Sequence, residues 1–328
     1  MSQFRTPFEI APSPHKITYS DKILSLGSCF SENMGAKLTN YKFPAIINPF
    51  GILYNPESIA NSIEFLLENK KFTEHDLFEH EGSWNSFYHH SRFSNSNKGN
   101  ALSLINSSIH QASAHLKHSK FLLITFGTAW VYKHKKKGKI VSNCHKIHEK
   151  EFVRYKLSVD EIVERYAHLI TILKEQNPGL QLIFTVSPVR HLKDGANKNQ
   201  LSKSTLIMAV HELIEMVGNA SYFPSYEIMM DDLRDYRFYN DDMVHPSPLA
   251  IDYIWDKFQQ STFHADTKKL MLEIHKINQA LEHRPFQPNS ESHQKFLKSI
   301  LNRIAAIEKE YPAITFEEEK KVLELRII

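Results

Sequence analysis

The chain has 328 residues, enough for one large domain or a domain with an appendage. Its 41% hydrophobic and 23% charged residues are globular proportions, and 40 basic against 37 acidic side chains leave a formal charge of only +3, which gives no support to nucleic acid or an anionic membrane as partner. Met1 to Ser20 lacks the apolar centre of an export signal, no long apolar run follows, and Cys29 and Cys144 are too few for a disulfide framework, so the chain reads as cytoplasmic with reduced thiols and no membrane partner.

In chain order, Lys22 to Gly27 has the length and flanks of a buried strand, and a helix is expected from Ser31. Phe43 to Ile47 reads as a second strand ending in the turn Asn48-Pro49-Phe50-Gly51. Asn55-Pro56-Glu57 supplies a cap, a first-turn proline and an acidic residue for a helix reaching about Lys70. Residues 72 to 98 are irregular. Helical spacing returns over Ala101 to His118, then Phe121 to Phe126 makes a strand before Gly127. Val131 to Val141 predicts a hairpin, Ser158-Val-Asp-Glu161 a capping box for a helix to Gln176, and Leu180 to Val186 a strand. A helix over Gln200 to Val217, a strand around Tyr226 to Met230 and a helix from Pro248 to Gln260 complete the alternation.

Strands alternating with helices imply an α/β fold with a parallel sheet covered on both faces, and ligands in such sheets bind beyond the carboxyl ends of the strands. Gly27-Ser28-Cys29, Asn48 to Gly51, Gly127-Thr128 and Ser187-Pro188 are therefore expected on one rim. After Thr262 the sequence becomes helical and charge-mixed, over Leu270 to Leu281, Gln294 to Tyr311 and Phe316 to Leu325. This divides the chain into an α/β domain, 1–262, and a C-terminal helical extension, 263–328. The apolar spacing of Leu270, Ile274, Ile277 and Leu281 suits docking on the main domain or on a second copy, so a homo-oligomer through these helices is an expectation.

Two segments carry chemistry. Gly27-Ser28-Cys29-Phe30 lies between a strand and a helix, where free N–H groups and the helix dipole favour an acidified thiol and a stabilised oxyanion. A small buried residue at a crowded turn is the plainer reading. Far downstream, Asn240-Asp241-Asp242-Met243-Val244-His245 places a carboxylate three residues before an imidazole, the spacing that orients one ring nitrogen and frees the other as a base. Local helix-start bonding is the plainer reading there. His145-Lys-Ile-His148 and His89-His90 lack a third ligand at defined spacing, so no metal site is expected. No phosphate loop or dinucleotide fingerprint is present and no cofactor is expected. Trp84, Phe87, Tyr88, His89, His90 and Arg92 are candidates for a pocket wall or for edge packing, and Arg190-His191 for a carboxylate or phosphate contact or a solvated loop.

Taken together, the strand-1 turn and the late Asp-x-x-His resemble the SGNH/GDSL hydrolase superfamily. Leu26-Gly27-Ser28-Cys29-Phe30-Ser31-Glu32 resembles the opening signature of the GSCFA-domain family, a bacterial branch of that clan. So do Asn48-Pro49-Phe50-Gly51-Ile52-Leu53-Tyr54-Asn55-Pro56, Phe126-Gly127-Thr128-Ala129-Trp130 and Ser187-Pro188-Val189-Arg190-His191, over roughly residues 4 to 260. The resemblance implies a three-layer, flavodoxin-like fold and a triad of Cys29, His245 and Asp242, with Ser28 as the neighbouring nucleophile candidate. It also implies an oxyanion hole from the N–H groups of Cys29 and Gly51. The asparagine that the superfamily places two residues after Gly127 is Ala129 here, which leaves Thr128, Asn48 or the Trp130 N–H as substitutes. The implied activity is ester hydrolysis or acyl transfer through an acyl-enzyme, on a small-molecule or glycan ester. A binding or scaffold protein descended from such an enzyme is the rival.

Overall fold

The computed structural model describes residue 7 and residues 9–327; the remaining N-terminal residues of the 1–262 domain and of the family-like segment lie outside the described residues. The chain opens with β1 (Lys22–Gly27), α1 (Cys29–Asn40), β2 (Ala45–Ile47) and α2 (Pro56–Leu67). A ribbon of β3 (Phe78–His80) and β4 (Ser83–Asn85) precedes α3 (Lys98–Leu116) and β5 (Ser119–Phe126). Next come β6 (Trp130–His134), β7 (Lys139–Val141), β8 (Phe152–Lys156), α4 (Val159–Gln176) and β9 (Gln181–Val186). The chain continues through α5 (Gly195–Val217), β10 (Ala220–Phe223), the single turn α6 (Ser225–Glu227) and α7 (Pro248–Thr262). It ends in α8 (Ala265–Glu282), α9 (Glu291–Glu310) and α10 (Glu317–Glu324).

Five parallel strands form the central sheet in the order β10-β9-β5-β1-β2. From β1 the chain steps outward to β2, then crosses back to β5, β9 and β10 on the other side. The order therefore reverses between β1 and β5, the place where open α/β sheets form a crevice beyond their strand ends. The pairs Gly27 with Thr125 and Phe126 with Val186 bring those ends level.

Alternation along each strand feeds two cores. Leu24, Leu26, Leu122, Ile124, Leu182 and Phe184 face one side, where Ile63 of α2, Ile105 of α3, Leu169 of α4 and Val210 of α5 close over them. Ile23, Phe121, Leu123, Ile183 and Phe223 face the other, against Met34 of α1, Phe258 of α7, Ile274 of α8, Ile304 of α9 and Leu323 of α10. The C-terminal helices thus bury their apolar rows in this chain's own second core, and among the described residues none of their backbone joins the sheet. No described helix is long and apolar enough to cross a membrane.

Caps form as the sequence implies: Asn55 accepts from the Ser58 N–H at 2.8 Å, and Ser158 and Glu161 exchange bonds across the first turn of α4. Two strand assignments are corrected. Tyr226 to Met230 is helical, and the edge strand is β10, whose paired residues Ser221, Tyr222 and Phe223 lie beside Ile183, Phe184 and Thr185. The hairpin of β6 and β7 gains a third strand, β8, paired along all of β6.

Candidate active site

The turn after β1 begins at Gly27, whose φ of +146° and close approach to β5 demand glycine: a Cβ there would lie 2.3 Å from the Thr125 carbonyl oxygen. Its N–H donates to Asn48 Oδ1 at 2.8 Å, its carbonyl accepts from the Leu53 N–H at 2.9 Å, and the Ser28 N–H donates to Thr125 O at 3.3 Å. The ends of β1, β2 and β5 are thereby knitted into one rim. Helix α1 starts at Cys29, two residues before the expected start, so the thiol stands in its first turn. Ser28 is fully buried behind the rim with Oγ unpartnered, whereas Cys29 opens onto a cleft of about 420 Å³.

The expected acidified thiol is corrected. Burial pushes the Cys29 thiol up; the N–H groups of Phe30 and Cys29 and the charge of Lys203 pull the other way without reversing it. Cys144 lines the same cleft, and burial raises it to about 11.

Asp242 and His245 sit in a short loop before α7. Asp242 Oδ1 accepts from the N–H groups of Val244 and His245, each at 2.9 Å, and Oδ2 lies 2.6 Å from His245 Nδ1. The two backbone N–H groups, with the ring, hold the Asp242 carboxyl down at about 2. An ionised carboxylate only accepts, so Nδ1 carries the shared proton and Nε2 is left to the cleft, which His245 lines together with Cys29. Both side chains of the pair are about half exposed, at 45% and 50%.

The rest of the rim divides into groups that face the cleft and groups that do not. Thr128, Trp130, Arg190 and His191 line it. Indole Nε1 of Trp130, Nε of Arg190 and Nε2 of His191 are buried without partners among the described residues. Burial, the nearby Lys203 and then His245 hold His191 down at about 4, a neutral ring at physiological pH. Thr128 Oγ1 is shared with Ser202 Oγ at 3.1 Å, and the N–H groups of Gly127 and Thr128 both donate to Tyr54 O. Gly51 and Asn48 lie away from the opening. The Gly51 N–H donates to Asn48 O at 2.7 Å, so it is not a free oxyanion donor in this geometry. Asn48 spends its carbonyl on Gly51 and Arg92 and its Oδ1 on Gly27.

Of the aromatic segment after β4, His90 alone among the six reaches the cleft. Phe87 and His89 are core, and Trp84 packs under Lys98 at 4.0 Å. The histidine pairs bind protein instead of gathering ligands: His145 Nε2 meets Ser86 O at 2.8 Å, and no described group of three or more metal-ligating side chains exists.

The sequence reading missed the scaffold beneath the rim. On the inner face of α5, Asn199 Oδ1 accepts from the His191 N–H at 2.9 Å and Ser202 Oγ from the Ala129 N–H at 2.8 Å. Lys203 Nζ donates to the carbonyls of Gly127 and Ser187, both at 2.7 Å. The legible signal was a lysine and two small polar residues in the helical row that continues as Leu206, Val210 and Leu213. Arg154 was also missed; it pairs with Asp194 and stacks over Trp130 at 4.5 Å, fixing one cleft wall.

Comparison with known proteins follows this geometry. A family model described as the GSCFA family matches residues 22–258, and one described as the GSCFA domain protein C-terminal domain matches residues 274–328. No curated protein matches. Among solved structures, the chain is similar to a carbohydrate esterase family 3 from Talaromyces cellulolyticus, with 10% identity and a TM-score of 0.35 over 78% of this chain and 99% of that one. It is similar also to an acetyl xylan esterase, Est2A, from the rumen bacterium Butyrivibrio proteoclasticus, with 12% identity and a TM-score of 0.32 over 74% and 65%. With the family match spanning the whole parallel sheet and the loop of Asp242 and His245, the chain belongs to the GSCFA family.

Proposed function

We propose that the cleft carries out acyl transfer from an ester, with Cys29 as nucleophile, His245 as general base and acid, and Asp242 as the group that orients His245. The carrying observation is that Cys29 and His245, from opposite ends of the α/β domain, line one cleft while Asp242 fixes the ring by a 2.6 Å bond to Nδ1. Nε2 takes the proton from Sγ as sulfur attacks the ester carbonyl, and returns it to the departing alkoxide. Water or an acceptor hydroxyl, deprotonated by Nε2, then attacks the thioester and regenerates the thiol. The first-turn N–H of Cys29 meets the developing oxyanion, and the unpartnered Trp130 Nε1–H and Arg190 Nε–H are further donors within the cleft, as is His191 in its Nε2–H tautomer.

Burial of Ser28 supports Cys29 over its neighbour as nucleophile. Tyr54, Trp130 and Tyr132 give the cleft aromatic walls, and Arg190 gives it a cation; these suit an acylated carbohydrate or another polar ester with an acidic group. A binding protein without turnover is favoured by one observation, the upward displacement of the Cys29 thiol, together with the apolar Ala129. A panel of ester substrates assayed with the wild type and Cys29→Ala separates the two. Turnover that disappears in Cys29→Ala supports acyl transfer; saturable ligand binding with no turnover in either protein supports the binding protein.

A further inference from the structure

Lys203 lies outside the triad, yet it is the most completely buried cation beside it. Its side chain is 0% exposed, and its Nζ is held by the carbonyls of Gly127 and Ser187 at 2.7 Å each. Two carbonyls satisfy two N–H bonds but do not cancel a charge, and an ammonium taken out of water without an anion is costly. Among the described residues no carboxylate is paired with it: the charges that act on it are Cys29 and Arg190, and His191 and the Tyr226 ring, at 5.6 Å, lie beside it. Gly127, whose carbonyl it grips, stands against the nucleophile turn: a Cβ there would lie 3.3 Å from Ser28 Cβ. The one ionisable group on that turn able to become its anion is the Cys29 thiol.

We propose that Lys203 is a positioning residue of this site, a buried counter-charge for negative charge formed at Cys29, which also ties together the carbonyl ends of β5 and β9. Its use in catalysis rests on the acyl-transfer reading; its coupling to the thiol does not. Inside the fold the attraction is screened far less than at the surface. Burial holds Lys203 down to about 7, so its charge is present below that pH and is lost above it. Glu32, on its own helix, and Tyr54, on the segment after β2, also face Cys29, and Arg190, His191 and His245 share its cleft. Glu32 opposes ionisation, which leaves Lys203 as the cation that favours it. Held on the Gly127 and Ser187 carbonyls, this charge acts from behind the rim instead of from within the cleft.

The test is the pH profile of Cys29 alkylation by iodoacetamide in the full chain, followed by peptide mass spectrometry in wild type, Lys203→Met and Lys203→Arg. Lys203→Met is expected to slow Cys29 labelling about 10-fold at pH 6, where Lys203 carries its charge, and to leave it unchanged above pH 9, where it does not. Lys203→Arg is expected to restore most of that rate, and the Cys144 profile stays in place in all three. An unchanged labelling rate at pH 6 in folded Lys203→Met overturns the proposal. If both variants unfold, the wild type decides. The wild-type Cys29 labelling rate is followed from pH 5 to pH 9, across the Lys203 midpoint. A break in the slope of log rate against pH near the Lys203 midpoint supports the coupling, and an unbroken slope refutes it. Loss of ester turnover with the coupling intact overturns acyl transfer alone, and the reverse overturns Lys203 alone.

Discussion

The two walls that bring Cys29 and His245 together are built by opposite means. The Cys29 wall is buried: Gly27, Asn48, Gly127 and Ser187 are locked by backbone bonds and by side chains from α5, and desolvation governs the thiol. The Asp242–His245 wall is a half-exposed loop whose order comes from three bonds converging on one carboxylate. One side is therefore set by packing and insensitive to solvent, and the other by charge and hydrogen bonding within reach of salt. Under the proposed acyl transfer, that division suits a nucleophile held still by packing and a base held by its carboxylate while Nε2 takes and returns a proton.

The largest expected effect falls on the buried wall. Cys29→Ala should lower ester turnover by at least about 10³-fold, since the nucleophile and the acyl-enzyme go together. Cys29→Ser should stay far below wild type, because the same desolvation that resists a thiolate resists an alkoxide more. Ser28→Ala should retain most turnover, and its loss would transfer the role to Ser28.

On the exposed wall, His245→Ala should cost roughly 10²- to 10⁴-fold, the range of a general base, and Asp242→Asn less, because the loop is solvated. The gap between wild type and Asp242→Asn should narrow in 1 M salt, where the screening length is about 3 Å, while the alkylation midpoint of Cys29 stays put. Equal salt dependence on both walls would erase the contrast. A smaller effect is expected from Trp130→Phe, which keeps the aromatic wall and removes only the indole N–H. Turnover falling by about 10-fold at constant KM identifies a transition-state donor; a rise in KM alone makes Trp130 a substrate wall.

The smallest effect is on stability. Lys203 is held at about 7 when folded against an ordinary value of 10.5, so the unfolded chain binds the extra proton between those values. The stability penalty of this lysine is fully present below pH 7 and is relieved as pH rises toward 10.5. The Tm difference between wild type and Lys203→Met should therefore shift in favour of wild type from pH 7 to pH 10. A flat difference would mean that Lys203 does not titrate there.

Much of this was legible in residues with local causes. Gly27, Asn55-Pro56 and the Ser158–Glu161 box each dictate a backbone event within a few residues, and those elements formed. Strand β8 was not legible, because Phe152-Val-Arg-Tyr-Lys earns its pairing only from β6. The edge strand was misplaced because Tyr226 to Met230 is as apolar as a strand but turns into α6 behind Pro224. Asp242 and His245 were readable as neighbours in sequence. The Lys203 clamp was not, since its partners Gly127 and Ser187 meet only through the sheet order, and the thiol's upward displacement follows from burial that no local motif encodes.

The central claim is a covalent step at Cys29, and intact-protein and peptide mass spectrometry after brief reaction with an activated ester tests it most directly. The account predicts a thioester on the Cys29 peptide that accumulates in wild type, decays with turnover, and is absent in Cys29→Ala and strongly slowed in His245→Ala. An acyl group found on Ser28 instead, or turnover with no adduct at Cys29 under conditions that trap other acyl-enzymes, would contradict it.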